Sequence, residues 1–230
     1  GGIAAHVADG TAVEGSHLLV AAGRRPNVED LGLEAAGIAW GPKGITVDDR
    51  LRSTNRRVFA VGDIAGGPQF THVAGYHAGI VIRNALFRLP ARVDYKALPW
   101  VTFTAPELAQ AGLTEARARE RHGAVEVLRA PFAENDRARA EGATLGGVKA
   151  VVTRRGRILG ASILGEHAGE AIQPWVLAIQ NGLSIGAMAQ LFTPYPTLGE
   201  AGKRAAGTFY AGRLFGAGTR RLVRLLARLG

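Results

Sequence analysis

The sequence predicts an α/β segment over about the first 95 residues, with a parallel sheet edge and a helix, followed by an α+β domain. Two observations predict this division. In the first segment, a short apolar run at residues 58–61 ends in Gly62-Asp63 and leads towards a long helical pattern, as a buried parallel strand and its following helix would. In the second segment, short apolar runs separated by turn residues are followed by helical spacing, which is typical of α+β domains.

The composition is that of a globular protein. The 230 residues are 47% hydrophobic and include no cysteine, which excludes disulfides, thiolate metal sites and thiol nucleophiles within this chain. No apolar run reaches the roughly 18 to 20 residues that cross a bilayer, and the first residues do not resemble a signal peptide. We therefore expect a cytoplasmic protein.

The positive charge is unevenly distributed. The formal net charge is +9, and residues 213–230 contain five arginines and no acidic residue. Such an excess can indicate nucleic acid or anionic lipid as a partner. Because the chain has no basic patch with interleaved aromatics, no zinc spacing and no nucleic-acid motif, we predict no nucleic-acid partner.

The elements of the first segment begin with two short strands, at residues 3–8 and 17–22, joined by a turn at Asp9-Gly10. Such a hairpin cannot bury a core by itself, which leads us to expect a partner domain. The pattern then predicts a loop at residues 23–27, one or two helical turns at 31–37 and an edge strand at 45–47. The buried parallel strand follows at 58–61, and a helix stopped by Pro90 follows at 73–89.

A lapse in the pattern between residues 91 and 99 predicts the domain boundary. The elements after it alternate between strands and helices, with a hairpin around Arg155-Gly156. Strands are predicted at residues 101–103, 125–130, 148–153 and 158–164, and helices at 114–121, 170–181 and 185–191.

Six stretches, in order along the chain, carry a resemblance to a known family. They are LLVAAGRRPN at residues 18–27, VFAVGD at 58–63, FTAPE at 103–107, AGLTE at 111–115, ILGA through GE at 158–170, and YPTLGE at 195–200. Together they resemble the flavoprotein pyridine nucleotide-disulfide oxidoreductases, which include dihydrolipoamide dehydrogenase, glutathione reductase and mercuric reductase. The match is to the carboxy-terminal half, and is closest to the mercuric-reductase-like members.

The resemblance implies a domain order. Residues 1–22 would end the nicotinamide-binding domain, 23–95 would be the second segment of the FAD-binding domain, 96–212 would form the α+β dimerisation domain, and 213–230 would be a basic amphipathic tail. The dinucleotide fingerprints and the redox-active cysteine pair of the family have no match here. We therefore expect these residues to be inactive without an amino-terminal half that holds FAD and NAD(P)H.

Asp63 is the first candidate binding residue. A carboxylate at the end of a buried strand can accept hydrogen bonds from sugar-like hydroxyls, and Gly62 would allow close approach of a ligand. The resemblance implies that Asp63 binds the ribityl chain of FAD. The alternative is an aspartate that merely caps a turn or helix.

The start of the long helix is the second candidate binding segment. Thr71 is a plausible N-cap, and the amides of the next three residues would then point out of an electropositive helix end. The resemblance implies that this end favours the negative charge of reduced flavin. The residues expected to bind the cofactor are Gly23, Gly62, Asp63, Phe70, Thr71, His72, Val73 and Ala74.

Tyr195 and Glu200 are the candidate catalytic residues. In dihydrolipoamide dehydrogenase and glutathione reductase, a His-Pro-Thr motif followed by Glu supplies an acid–base pair across the dimer; here Tyr195 occupies the histidine position. A phenol with an ordinary pKa near 10 accepts protons poorly at neutral pH, but it can donate a hydrogen bond to a thiolate or metal–thiolate. The alternative is that Tyr195 only packs the interface.

His167 and Glu170 are interpreted as packing residues, and no metal site is predicted.

The last segment is predicted to form an amphipathic helix over residues 219–229, with Leu222, Val223, Leu225, Leu226 and Leu229 on the apolar side. Two interpretations are open. The helix could pack on its own dimer, or it could attach to an anionic membrane surface.

The leading hypothesis is a homodimeric FAD-dependent NAD(P)H oxidoreductase that acts on a disulfide, dithiol or metal-thiolate substrate. One alternative is a stand-alone dimerisation module without redox activity. The other is a protein that docks on a partner or membrane through its basic tail.

Overall fold

The computed structural model describes residues 2–228, in two compact units divided between Val93 and Asp94. This division falls within the stretch where the pattern of the sequence lapses. Each unit has a hydrophobic core of its own, one around Val28, Leu33 and Ile38 and the other around Phe132 and Trp175.

The first unit opens with a hairpin of β1 (Ile3–His6) and β2 (Ala12–Gly15). The prediction of a second strand at residues 17–22 was wrong. The turn determines this register, because Gly10 N–H donates to the Val7 carbonyl and Val7 N–H to the Thr11 carbonyl, so pairing resumes at once after the turn. Residues 18–20, the most apolar part of the segment, are left exposed.

The parallel strand expected at residues 58–61 is not formed either. Phe59 makes only an isolated antiparallel bridge to Arg52. A strand exists only through its ladder partners, and the described residues of the first unit offer no parallel neighbour. Its regular pairs are β1 with β2 and a short hairpin of β3 (Trp40–Gly41) with β4 (Gly44–Ile45), while residues 33–37 form hydrogen-bonded turns rather than a helix.

The helix α1 (Thr71–Ala85) begins two residues before the predicted helix and ends four residues earlier. Val73, His77 and Ile80 form its buried side, at the spacing of one helix face. The helix ends before Pro90 because Asn84 holds the returning chain: its amide donates to the Ala91 carbonyl at 2.8 Å, and its carbonyl accepts from Ala91 N–H at 3.1 Å.

The second unit contains a five-stranded antiparallel sheet in the order β5-β6-β9-β8-β7. The strands are β5 (Pro99–Thr102), β6 (Glu107–Gly112), β7 (Val125–Pro131), β8 (Gly147–Thr153) and β9 (Ile158–Gly165). The sequence pattern missed β6, since its centre, Ala109-Gln110-Ala111, has low strand propensity. These small residues are nevertheless buried between two neighbouring strands.

Between residues 94 and 228, the helices that follow or interrupt the strands are α2 (Glu115–His122), α3 (Asp136–Ala140), α4 (Ala168–Ala171), α5 (Gln173–Gln180), α6 (Ile185–Ala189), α7 (Glu200–Leu214) and α8 (Ala217–Leu226). The sequence predicted neither α3 nor α7. In α7 three interior glycines weaken the helical pattern, while buried Ala201, Ala205 and Ala206 join the main core. Leu229, assigned to the tail helix, lies outside the described residues.

Candidate functional site

The Gly62-Asp63 turn is held directly against α1. Gly62 opens a 3₁₀ turn (Gly62–Ala65) with a φ of 69°, and a Cβ added there would lie 3.1 Å from the Cβ of Ala74. Its backbone N–H donates to Nδ1 of His77 at 3.1 Å. Glycine is therefore required both by the left-handed backbone and by the close packing of the turn on the helix.

His77 is a site residue that the sequence reasoning missed. Its side chain is fully buried, and burial lowers the pKa of its imidazole by disfavouring the charged form. Because Nδ1 accepts from Gly62, the neutral ring carries its proton on Nε2. The available signal was its spacing, since His77 lies on the same helix face as Val73 and Ile80.

Replacing His77 with leucine is expected to reduce the free energy of unfolding by about 1–3 kcal/mol, because the buried Gly62 N–H loses its acceptor. In the unmodified protein, the lowered pKa means that the unfolded chain binds a proton more readily than the folded one. The stability that neutral His77 contributes is therefore fully present above a pH of about 6.5, the ordinary pKa of histidine. It decreases as the pH falls from there towards the lowered pKa of His77 in the folded protein.

Thermal melts from pH 5 to 8 measure both effects, and replacing the exposed His6 with leucine is the matched control. If the His77→Leu variant kept the same acid destabilisation as the unmodified protein, another group would be responsible.

Asp63 and Arg24 connect two loops of the site. The Asp63 side chain is 43% exposed, and its Oδ2 lies 3.9 Å from Nη1 of Arg24. Nη2 of the same guanidinium donates to the Gln69 carbonyl at 2.9 Å. The structure thus brings the loop that contains Gly23 to the Gly62-Asp63 turn, and it adds Arg24, which the sequence reasoning did not select.

The start of α1 differs from the prediction. Phe70 is the N-cap and makes no side-chain cap, whereas Thr71 is the first helical residue. The expectation that the amides of Val73 and Ala74 point out of the helix was wrong, because both donate to the Phe70 carbonyl, at 3.0 and 3.2 Å. Thr71 and His72 are the first two residues of the helix and lie at its electropositive end. The rings of Phe70 and His72 stack beside it, with centroids 5.1 Å apart.

Tyr195 lies in the loop between α6 and α7 of the second unit, and its side chain is 71% exposed. Its hydroxyl donates to Oδ2 of Asp136 at 3.1 Å. This hydrogen bond, together with the charges of Asp136 and Glu200, raises the pKa of the Tyr195 phenol. The phenol therefore keeps its proton at neutral pH and acts as a hydrogen-bond donor rather than a base.

Glu200 contacts the loop backbone. It is the first residue of α7, and its Oε2 accepts from Thr197 N–H at 3.2 Å. A carboxylate in this position satisfies a loop amide and interacts favourably with the positive end of the helix. The group that accepts from Tyr195 is Asp136, which the sequence reasoning did not select.

A cleft of about 340 Å³ lies beside these residues, lined by Glu134, Asn135, Asp136, Glu200, Lys203 and Arg204. Asn135 fixes its geometry: the side-chain amide donates to the Thr197 carbonyl at 3.0 Å, and the side-chain oxygen caps α3 by accepting from Ala138 N–H at 2.9 Å. An asparagine ahead of a short helix is the signal that could have indicated this role.

His167 and Glu170, the pair interpreted as packing residues, line a second cavity of about 290 Å³. Its other lining side chains are mainly apolar and include Trp175, Met188 and Leu191. Within residues 2–228, no group of three or more His, Cys, Asp or Glu side chains is arranged to hold a metal ion.

Comparison with family models identifies both units. Residues 2–78 match the pyridine nucleotide-disulphide oxidoreductase model, and residues 98–206 match the pyridine nucleotide-disulphide oxidoreductase dimerisation domain. These matches confirm the predicted fold class, a segment of the FAD-domain type followed by a dimerisation domain of mixed α/β structure. They also agree with the predicted cofactors, since this family uses FAD and NAD(P)H.

Curated relatives include mercuric reductases and dihydrolipoyl dehydrogenases. The chain is 41% identical over 199 residues to the mercuric reductase of Staphylococcus aureus, covering 86% of this chain and 36% of that protein. It is 39% identical over 197 residues to the dihydrolipoyl dehydrogenase of Bacillus subtilis strain 168, covering 84% of this chain and 42% of that protein.

Solved structures show the same likeness. LpdA from Mycobacterium tuberculosis superposes with a TM-score of 0.84 at 30% identity, over 90% of this chain and 46% of that one. The HOCl-induced flavoprotein disulfide reductase RclA from Escherichia coli superposes with a TM-score of 0.79 at 32% identity, over 86% of this chain and 46% of that one. The chain thus spans less than half the length of these relatives. On the two family-model matches and these likenesses, it belongs to the pyridine nucleotide-disulphide oxidoreductase family.

Proposed function

We propose that this chain is the carboxy-terminal part of an FAD-dependent NAD(P)H oxidoreductase that works as a homodimer on a disulfide or thiol-bound substrate. The observation that carries the proposal is the Gly62-Asp63 turn held against the first turns of α1. In this proposal the nicotinamide site and the rest of the FAD site come from residues outside the chain.

The residues of the first unit fit FAD. The half-exposed Asp63 carboxylate offers acceptors to the hydroxyls of a sugar chain, and Gly62, which has no Cβ to meet Ala74, lets the turn that presents this carboxylate pack against α1. The positive end of α1 would favour negative charge on the flavin ring. FAD, when bound, supplies the redox centre between the nicotinamide and the disulfide. Gly62, Asp63 and the start of α1 at Thr71 and His72 would hold it, with Arg24 orienting the Asp63 carboxylate.

The second unit would form the dimer and present Tyr195 to the partner subunit's active site. Because its phenol stays protonated and has a single O–H, Tyr195 would turn that O–H from Asp136 to the sulfur of a substrate thiolate, including a thiolate that holds a metal such as mercuric ion. The redox disulfide itself must come from outside these residues, since the chain has no cysteine. The mercuric reductase and dihydrolipoyl dehydrogenase relatives both suit this substrate class, at similar identity.

The visible spectrum of the complete gene product that contains this chain tests the proposal. We expect purified protein to carry an oxidised flavin that NADH or NADPH bleaches. A colourless protein that is still dimeric would contradict the proposal and favour the dimerisation module without redox activity.

Replacing Tyr195 with phenylalanine in that product is expected to slow substrate turnover about tenfold, the effect of one lost hydrogen bond, while flavin reduction by the nicotinamide continues unchanged. Steady-state turnover and stopped-flow flavin reduction measure the two steps separately. Tyr210→Phe, on α7 and away from the Tyr195 loop, is the control. Turnover equal to that of the unmodified protein would leave Tyr195 with a packing role alone.

A further inference from the structure

The helix α8 (Ala217–Leu226) presents an apolar side that nothing in the described structure covers. No residue of this helix is buried, and the exposed fractions of its large apolar residues, Leu222, Val223, Leu225 and Leu226, are 54%, 57%, 56% and 55%. Elsewhere in the second unit, α5 and α7 each bury one side in the core. An uncovered apolar side of this kind indicates an interaction surface.

The arginines of the tail are segregated from this apolar side. At 100° per residue, Arg220, Arg221 and Arg224 fall in an arc of roughly 100°, opposite the four apolar residues. Arg228 would continue the same arc. With no acidic residue anywhere from 213 to 230, the polar side of the segment is uniformly positive.

We propose that α8 lies on an anionic lipid surface, with its apolar side among the acyl chains and its arginines at the phosphate level. This arrangement satisfies both sides of the helix, since arginine side chains extend from a half-immersed helix towards the headgroups. A cytoplasmic location, which stays a prediction, would expose the tail to the anionic leaflet.

Other occupants suit the helix less well. A nucleic acid would neutralise the arginines but leave the apolar side in water. Pairing with the same segment of a second copy would cover the apolar side but leave the arginines on the opposite side without an acidic partner, since neither segment contains an acidic residue. In residues 2–228, no helix is both long and apolar enough to cross a membrane. The ten residues of α8 extend about 15 Å, half the thickness of the hydrocarbon layer, so the geometry is that of a helix lying on the surface.

Co-sedimentation of the full chain with phosphatidylcholine vesicles, with and without phosphatidylglycerol, tests the proposal. We expect pelleting only with the anionic vesicles. An Arg220→Gln/Arg221→Gln/Arg224→Gln variant should bind them at least about tenfold more weakly, because each basic residue near an anionic surface contributes to binding. Leu222→Glu/Leu226→Glu should abolish pelleting while leaving the basic arc in place.

The matched control is Arg56→Gln/Arg121→Gln/Arg155→Gln, which removes the same charge from exposed positions elsewhere and should still pellet. Equal pelleting of the control and the tail arginine variant would overturn the proposal, because general positive charge would then explain the binding. The proposal would also be overturned if the unmodified chain did not pellet with anionic vesicles. It would be overturned as well if the Leu222→Glu/Leu226→Glu variant still pelleted and changed only its oligomeric state, measured by light scattering. Either result would leave α8 without a lipid role.

Discussion

Replacing Asp63 with alanine in the complete gene product is expected to weaken flavin binding by about 10- to 100-fold, the effect of losing hydrogen bonds to a charged acceptor. In this structure the Asp63 carboxylate is half exposed and lies beside the Arg24 guanidinium. The arginine therefore orients the carboxylate, while its exposed part stays accessible to a ligand. Flavin retained after dialysis, measured by absorbance, gives the size of the effect. Asp63→Asn should retain an intermediate amount, because its amide oxygen still accepts hydrogen bonds.

Asp49→Ala is the control for this change, since Asp49 also pairs with an arginine, Arg92, within the first unit. We expect it to keep its flavin. Equal flavin retention in the Asp63→Ala and Asp49→Ala proteins would contradict the role of Asp63. A protein that binds no flavin even with Asp63 intact would contradict the proposed function itself.

Replacing Gly160 with alanine is expected to lower the free energy of unfolding of the second unit by about 3 kcal/mol or more. A Cβ added at Gly160 would lie 1.9 Å from the carbonyl oxygen of Leu113 and 2.8 Å from its carbonyl carbon. These are backbone atoms, and Leu113 N–H donates to the Leu159 carbonyl at 2.9 Å, so the chain cannot move aside without breaking the connection of β6 to β9. The cost arises from packing, because Gly160 does not have a positive φ.

Gly207→Ala on the exposed side of α7 is the matched change. A Cβ there meets nothing within 4 Å, so this variant should gain about 0.5–1 kcal/mol from the lower entropy of its unfolded chain. Urea unfolding followed by tryptophan fluorescence is the measurement, and two of the three tryptophans, Trp100 and the buried Trp175, lie in the second unit. Equal midpoints for Gly160→Ala and the unmodified chain would show that β6 and β9 can separate freely.

The sequence predicted the second unit better than the first. Residues 148–153 and 158–164 predict a hairpin because two short runs rich in apolar residues lie on either side of a turn at Arg155-Gly156, and these two strands pair with each other in the structure. The strand expected at 58–61 has a similar composition, but its partners are not among the described residues, so its apolar pattern produces only one bridge. A strand pattern therefore predicts a strand only where the chain also supplies the neighbours.

For the candidate site as well, the sequence predicted some residues and missed others. Gly62, Asp63 and Tyr195 were selected from the sequence because the type of residue and its motif are local properties. His77, Arg24 and Asp136 were missed because their roles come from contacts with distant segments: His77 accepts from a residue 15 positions away, and Asp136 accepts from one 59 positions away.

By itself, the sequence determined the family, the presence of a flavin-type segment and a dimerisation domain, and the absence of a thiol in this chain. Only the tertiary structure decided which carboxylate holds the Tyr195 hydroxyl, which histidine holds the turn at Gly62, and which side of the tail helix is uncovered. The physical reason is that a motif records the chemistry of adjacent residues. Hydrogen-bond partners and buried faces depend instead on how the fold brings separated segments together.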